Sequence, residues 1–188
     1  HHKKFQNTLS KQLEDTKQPL NLEIERKWLF NERKFYELSK QQKYDEFLYE
    51  QSYLSTNPEI RIRKKEKIEP FFIVKSPATY KLCIKSKDLL CRTEIEKDLT
   101  ESEYKALLQL VNGPTIQKQF LHYPILDESG KTHTLAIGIV KTKHPFSYGE
   151  IEFNSKEEAT QFQAPNWFGP DVTENPRFKM AAIYEKER

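Results

Sequence analysis

Leu22-Glu23-Ile24-Glu25-Arg26-Lys27 is the stretch on which the reading of this 188-residue chain turns. Successive side chains of a strand point to opposite faces, so Glu23, Glu25 and Lys27 share one face and Leu22 and Ile24 the other. The arrangement recurs downstream. Glu59, Arg61 and Arg63 oppose Ile60 and Ile62, and Lys81, Cys83 and Lys85 oppose Leu82 and Ile84. Arg92, Glu94 and Glu96 lie together, and Glu150 and Glu152 oppose Ile151 and Phe153. Any one of these strands reads as the wet face of an ordinary half-exposed sheet. Five together do not, because like charges two residues apart repel unless a counter-charge is shared between them. Paired carboxylates suit a divalent cation and paired guanidinium groups suit phosphate. A metal-complexed polyphosphate meets both needs if the strands close into a barrel with the charged face inward.

The composition agrees. Hydrophobic residues make up 36% and charged residues 31% of the chain, and mean hydropathy is −0.83. A lumen filled with polar groups accounts for that shortage of oily material. Twelve Phe, nine Tyr and two Trp argue against disorder. The length fits one domain. The net charge of +3 is too mild for a nucleic-acid binder, and no run of about 18 apolar residues could cross a membrane as a helix. Cys83 and Cys91 are too few for a disulfide scaffold and read as reduced thiols, which points to a cytoplasmic protein. Residues 1–19 carry no apolar period and begin with His1-His2, so they read as a disordered or tag-derived extension ahead of one domain over 20–188.

Period-two alternation predicts eight strands: Asn21–Leu29, Gln51–Leu54, Glu59–Lys65, Tyr80–Ser86, Arg92–Leu99, Ile116–Tyr123, Thr132–Val140 and Tyr148–Phe153. Phe71–Lys75 fits either an extra hairpin strand or an inserted loop. Helix signals are few. Thr100 with Glu103 and Ser155 with Glu158 have the spacing of capping boxes, Asn175-Pro176 reads as the start of a C-terminal helix, and Glu32 to Gln41 has helical composition. The fold expected is β-rich α+β: a closed eight-stranded antiparallel tunnel with a charged lumen and flanking helices.

Glu23-Ile24-Glu25-Arg26-Lys27 is an ExExK signature, and the pieces that follow it keep a consistent order. They are Gln51-Ser52-Tyr53-Leu54, Arg61-Ile62-Arg63, Tyr80 to Ser86, Arg92-Thr93-Glu94-Ile95-Glu96, Ile116-Gln117-Lys118, Gly149 to Phe153 and Asp171-Val172-Thr173. On these residues the chain resembles the CYTH family of triphosphate tunnel metalloenzymes over about Asn21 to Ile183. The resemblance implies a triphosphate small molecule as partner and Mg²⁺ or Mn²⁺ as cofactor. By position, Glu23, Glu25, Glu150 and Glu152 are the implied metal ligands. Lys27, Arg61, Arg63, Lys85, Arg92, Lys118 and Lys179 are the implied phosphate contacts. Lys27 and Tyr53 match a pair implicated in catalysis in some members, and Glu94 and Glu96 are implied to orient basic groups or metal-bound water. The chain is expected to act as a monomer or homodimer.

Three places depart from the family pattern. Phe120 stands where a second base usually follows Lys118, Ala136-Ile137-Gly138 replaces an acidic pair, and Met180 replaces an Asn after Lys179. The expected activity is metal-dependent hydrolysis of the terminal phosphoanhydride of tripolyphosphate, thiamine triphosphate or a nucleoside triphosphate. A non-catalytic triphosphate binder on the same barrel is the alternative, and an adenylate cyclase of the class sharing this fold comes behind it.

Overall fold

The alternating segments pair into one antiparallel sheet that closes on itself. The computed structural model describes residues 21–31, 33, 36, 37, 40, 43–69 and 76–188. Its strands are β1 (Leu22–Phe30), β2 (Asp45–Thr56), β3 (Glu59–Ile68), β4 (Thr79–Lys85), β5 (Cys91–Leu99), β6 (Ile116–Leu126), β7 (Thr132–Lys141) and β8 (Phe146–Glu152). They run round the barrel in the order β1-β5-β4-β3-β2-β6-β7-β8, with β8 paired back on β1. This is the architecture expected from the sequence. The N-terminal extension, the Phe71–Lys75 segment and most of the helix expected over Glu32 to Gln41 lie outside the described residues.

Three strands run well past their sequence pattern, β3 by continuing to Ile68 opposite Glu46. β2 begins at Asp45 because Phe47, Tyr49, Gln51 and Tyr53 form its inward face. Those are bulky side chains on a polar tunnel, so the usual polarity contrast is blurred. β6 continues through Pro124, since β2 pairs with β6 only as far as Asp45 opposite His122. Beyond that point no strand partner among the described residues on that side needs the N–H that proline lacks.

The outer faces of β1, β6, β7 and β8 carry the main apolar core. Trp28, Phe30, Leu121, Leu135, Ile137, Ile151 and Phe153 pack beneath Ala159, Phe162 and Phe168. Ala159 lies on α2 (Lys156–Gln161), which follows α1 (Glu101–Leu108) in the chain. Trp28 is the centre of this layer. It is 1% exposed, meets Phe168 edge-on at 4.9 Å and has the Arg26 guanidinium 4.9 Å from its ring. Trp28→Ala is expected to cost about 3–5 kcal/mol in denaturant unfolding, the usual loss for a large aromatic cavity.

Capping follows the sequence with two differences. Thr100 accepts from the Glu103 N–H while Glu103 caps the Thr100 N–H, a complete box. Ser155 accepts from the Glu158 N–H, but the Glu158 carboxylate turns to the Asn154 N–H and to Lys131. Asn175 caps only a single 3-10 turn, Pro176–Phe178, and the helix proper, α3 (Met180–Glu187), starts after an extended Lys179. That break lets α3 turn onto the barrel. Its Met180, Ala181, Ile183 and Tyr184 meet the inward residues Tyr53, Ile116, Val140 and Tyr148, so an apolar plug fills one end of the lumen.

Candidate active site

Beyond the plug the lumen is a chamber of about 400 Å³, within the ~300–1,000 Å³ usual for small-ligand sites. Seven glutamates (Glu23, Glu25, Glu59, Glu94, Glu96, Glu150, Glu152) and seven bases (Lys27, Arg61, Arg63, Lys85, Arg92, Lys118, Lys179) line it. The pairing register explains how residues from distant parts of the chain meet. Glu25 lies opposite Glu152 and Lys27 opposite Glu150 across β1 and β8, while Glu23 lies opposite Arg92 across β1 and β5.

The glutamates divide into two sets. Glu23 is saturated: Lys85 Nζ donates to both of its oxygens at 2.8 and 2.6 Å, and Arg92 lies 3.3 Å away. Burial pushes its carboxyl up, but Lys85 and Arg92 outweigh that and hold it down at about 2. Glu94 takes the Cys83 thiol at 3.0 Å and Lys85 at 3.3 Å, and Glu96 takes Lys81 at 2.9 Å and Arg63 at 3.4 Å. Burial drives the Cys83 thiol up to about 12, so Cys83, Glu94 and Glu96, although close together, form a hydrogen-bonded set already neutralised by lysine and arginine. Glu59, on the face of Arg61 and Arg63, braces Arg92 at 3.5 Å. The sequence places Glu59 on the charged face with Arg61 and Arg63 but assigns it no role; its position two residues before Arg61 is the available signal.

Glu25, Glu150 and Glu152 are the other set. Burial and the neighbouring Glu150 and Glu23 push the Glu25 carboxyl up to about 8. Burial and the charges of Glu23 and Glu94 raise Glu152 as well. Lys27 Nζ is 3.7 Å from Glu150 and leaves the set short of positive charge. Among the described residues their oxygens do not converge as Cys83, Glu94 and Glu96 do, but three carboxylates on one wall of the chamber supply the oxygen donors that a hard divalent cation such as Mg²⁺ or Mn²⁺ takes.

The bases present the opposite demand. Arg61 is 7% exposed, and its Nε is buried with no partner among the described residues. Lys118 is 4% exposed, and burial and the nearby Arg61 charge hold its ammonium well below the usual lysine range. An unpaired guanidinium N–H and a crowded ammonium beside each other make a place for an anion. Lys27 is fixed by its backbone, whose N–H donates to Thr173 Oγ1 and whose carbonyl accepts from Val172, and its Nζ sits 4.5 Å from the centre of the Tyr148 ring. Arg26, on the other face of β1, reaches Asp171 and the carbonyls of Ala159 and Phe162, so the ExExK stretch is clamped from outside. Lys179 Nζ donates to the Lys87 and Asp88 carbonyls at 2.7 Å, on the chamber's rim.

Thirteen of the fourteen site residues expected from the sequence face this chamber. Tyr53 does not. It is 2% exposed within the plug, stacks on Tyr184 at 4.9 Å and accepts from Gln51 Nε2 at 2.7 Å. Of the departing positions, Phe120, Ala136 and Met180 line the chamber. At Gly138 a Cβ would come within 2.7 Å of the Tyr148 ring, so that ring takes the space of the missing side chain.

The chain is 29% identical over 104 residues to an inorganic triphosphatase of Nitrosomonas europaea, spanning 55% of this chain and 67% of that one. A crystal structure of an inorganic triphosphatase superposes with a TM-score of 0.53 at 23% identity, covering 86% of this chain and 93% of the other. A second crystal structure, of a hypothetical protein, gives the same TM-score and identity and is covered over 97% of its length. No family model matches the chain. The likeness shows the fold: a closed eight-stranded antiparallel barrel of the kind seen in triphosphatase tunnel structures.

Proposed function

We propose that this chain hydrolyses the terminal phosphoanhydride of a triphosphate inside the tunnel, with Mg²⁺ or Mn²⁺ held by Glu25, Glu150 and Glu152. The observation that carries the reading is the pairing, in one enclosed space, of a cation-hungry carboxylate set with a buried Arg61 Nε that has no partner among the described residues. The similarity to an inorganic triphosphatase supports the same class of substrate. Glu23, expected among the metal ligands, serves here to hold Lys85 and Arg92 in place.

A bound cation supplies charge neutralisation to phosphate oxygens and to a water poised for attack. The protein's share is positioning and preorganised charge. Arg61, Arg63, Arg92 and Lys118 grip the phosphate oxygens, with Glu59, Glu94 and Glu96 fixing the orientation of their basic neighbours. Water attacks the terminal phosphorus, its proton passes to a glutamate of the acidic wall, and the bond to the bridging oxygen breaks. That oxygen leaves with the electron pair on the diphosphate portion, where Lys27 neutralises it. Tyr53 acts from the plug as a packing residue.

The test is phosphate release by the full chain from tripolyphosphate, thiamine triphosphate and ATP, each with Mg²⁺ and with Mn²⁺. Release on at least one substrate, lost in chelator, is the expected result; full activity in chelator overturns the metal-dependent reading. The uncharged stretch at Phe120 and Ala136 favours a second reading, a binder without turnover. Tight binding in calorimetry with no phosphate released selects that reading, and a cyclic nucleotide product from ATP selects a cyclase.

A further inference from the structure

Tyr148 shares the inward face of β8 with Glu150 and Glu152 and lies opposite Gly138 on β7. Its ring leans across that glycine toward β6. A Cβ at residue 138 would fall 2.7 Å from the ring and 2.9 Å from the hydroxyl, so the missing side chain is what leaves the path open. At the end of that path Lys118 Nζ donates to the hydroxyl at 3.4 Å. Phe120 meets the ring edge-on at 6.0 Å, and from β1 Lys27 Nζ sits 4.5 Å from its centre. One side chain therefore bridges four neighbouring strands, from Lys27 on β1 to Lys118 on β6. The ring is buried, as Arg61 and Lys118 are, and all three belong to the chamber wall.

A phenol accepts and donates at once. Lys118 occupies the accepting side, while the O–H proton has no acceptor among the described residues. Arg61 Nε is in the same condition. Two unused donors close to two lysines mark a place for phosphate oxygens. A tyrosine phenol ionises at about 10 and keeps its proton at neutral pH, so its service here is that of a hydrogen-bond donor.

We propose, resting on the triphosphatase reading, that Tyr148 is a catalytic residue whose O–H donates to the bridging oxygen of the scissile phosphoanhydride, beside Lys27. As that P–O bond breaks, the electron pair stays on the oxygen and the phenol keeps its proton. The hydrogen bond strengthens with the growing charge, and no proton changes hands. The glycine at 138 then serves as the opening that admits this donor.

The experiment measures phosphate release from tripolyphosphate, thiamine triphosphate and ATP with Mn²⁺ by the full chain, by Tyr148→Phe, by Gly138→Ala and by the double variant. Calorimetry of diphosphate binding accompanies it. Phenylalanine keeps the ring and its packing, so a melting temperature near that of the parent is expected. The kcat of Tyr148→Phe is expected to fall about 10–100-fold, the scale of one hydrogen bond to a charged group, with KM within about threefold. Gly138→Ala, which drives the ring off its path, is expected to cost a similar factor, and the double variant little more than either. Diphosphate carries the charge that cleavage leaves on that oxygen, and it is expected to bind Tyr148→Phe about tenfold more weakly. Turnover by Tyr148→Phe within threefold of the parent overturns the proposal. A parent that releases no phosphate from any of the three compounds rejects hydrolysis instead; diphosphate affinity then decides, and an unchanged value in Tyr148→Phe removes the hydroxyl from the site.

Discussion

Lys27→Ala is expected to lower kcat for phosphate release by about 10²–10³-fold, the scale seen when one preorganised stabiliser of developing charge is removed. The effect belongs in kcat rather than KM, because the charge that Lys27 answers appears on the leaving oxygen only as the bond breaks. The fold should hardly notice. Lys27 Nζ makes one long hydrogen bond, 3.4 Å to the Phe178 carbonyl, and its distance to Glu150 is 3.7 Å. Its backbone contacts to Thr173 and Val172 survive truncation. A melting temperature near that of the parent with turnover lost is the expected pair of results. Turnover within threefold of the parent would remove Lys27 from the chemistry.

Glu25→Gln is expected to do the opposite of most active-site changes: to stabilise the metal-free protein while abolishing metal-dependent turnover. Glu25 lies opposite Glu152 and near Glu150 and Glu23. Its carboxyl ionises near 4.5 in the unfolded chain and at about 8 in the folded one. A raised folded value means that stability present below pH 4.5 is lost as pH rises toward 8. Glutamine carries no such penalty. The advantage of the variant should therefore open above pH 4.5, reach about 3 kcal/mol by pH 7 and level off above pH 8. Urea unfolding of both proteins in chelator, at several pH values, reads this difference directly. Comparing parent and variant isolates Glu25 from Lys118, whose depressed ammonium tilts stability the other way with pH. A variant no more stable than its parent at pH 7 would mean that the carboxylates do not crowd one another.

The charged strands were legible because their chemistry runs against habit. Glu23/Glu25, Arg61/Arg63 and Glu150/Glu152 are like charges on one strand face, a pattern that makes sense only where something else neutralises it. The residue types therefore indicated both the inward face and its anionic and cationic guests. What could not be read depends on who neighbours whom. The saturation of Glu23 by Lys85 and Arg92 follows from the order β1-β5-β4, which joins segments some 60 to 70 residues apart. Tyr53 shares the inward face of β2 and the buried cluster under α3 with Tyr49, and only Tyr49 also lines the chamber. The late start of α3 was hidden because Asn175-Pro176 opens a 3-10 turn with the same signal that opens an α-helix. Phe120 and Ala136 registered in the sequence as losses of charge; the register shows them as parts of one wall with Tyr49 and His122.

Because α3 stoppers one end of the barrel, the chamber behaves as a blind alley rather than a thoroughfare. A guest backs in and its products file out the way it came. Whatever is cut from the innermost position is the last to depart, trapped behind the larger fragment until that fragment has gone. On the proposed function, a long phosphate polymer would offer such a pocket only its tip, never its middle, and cutting would be confined to chain ends.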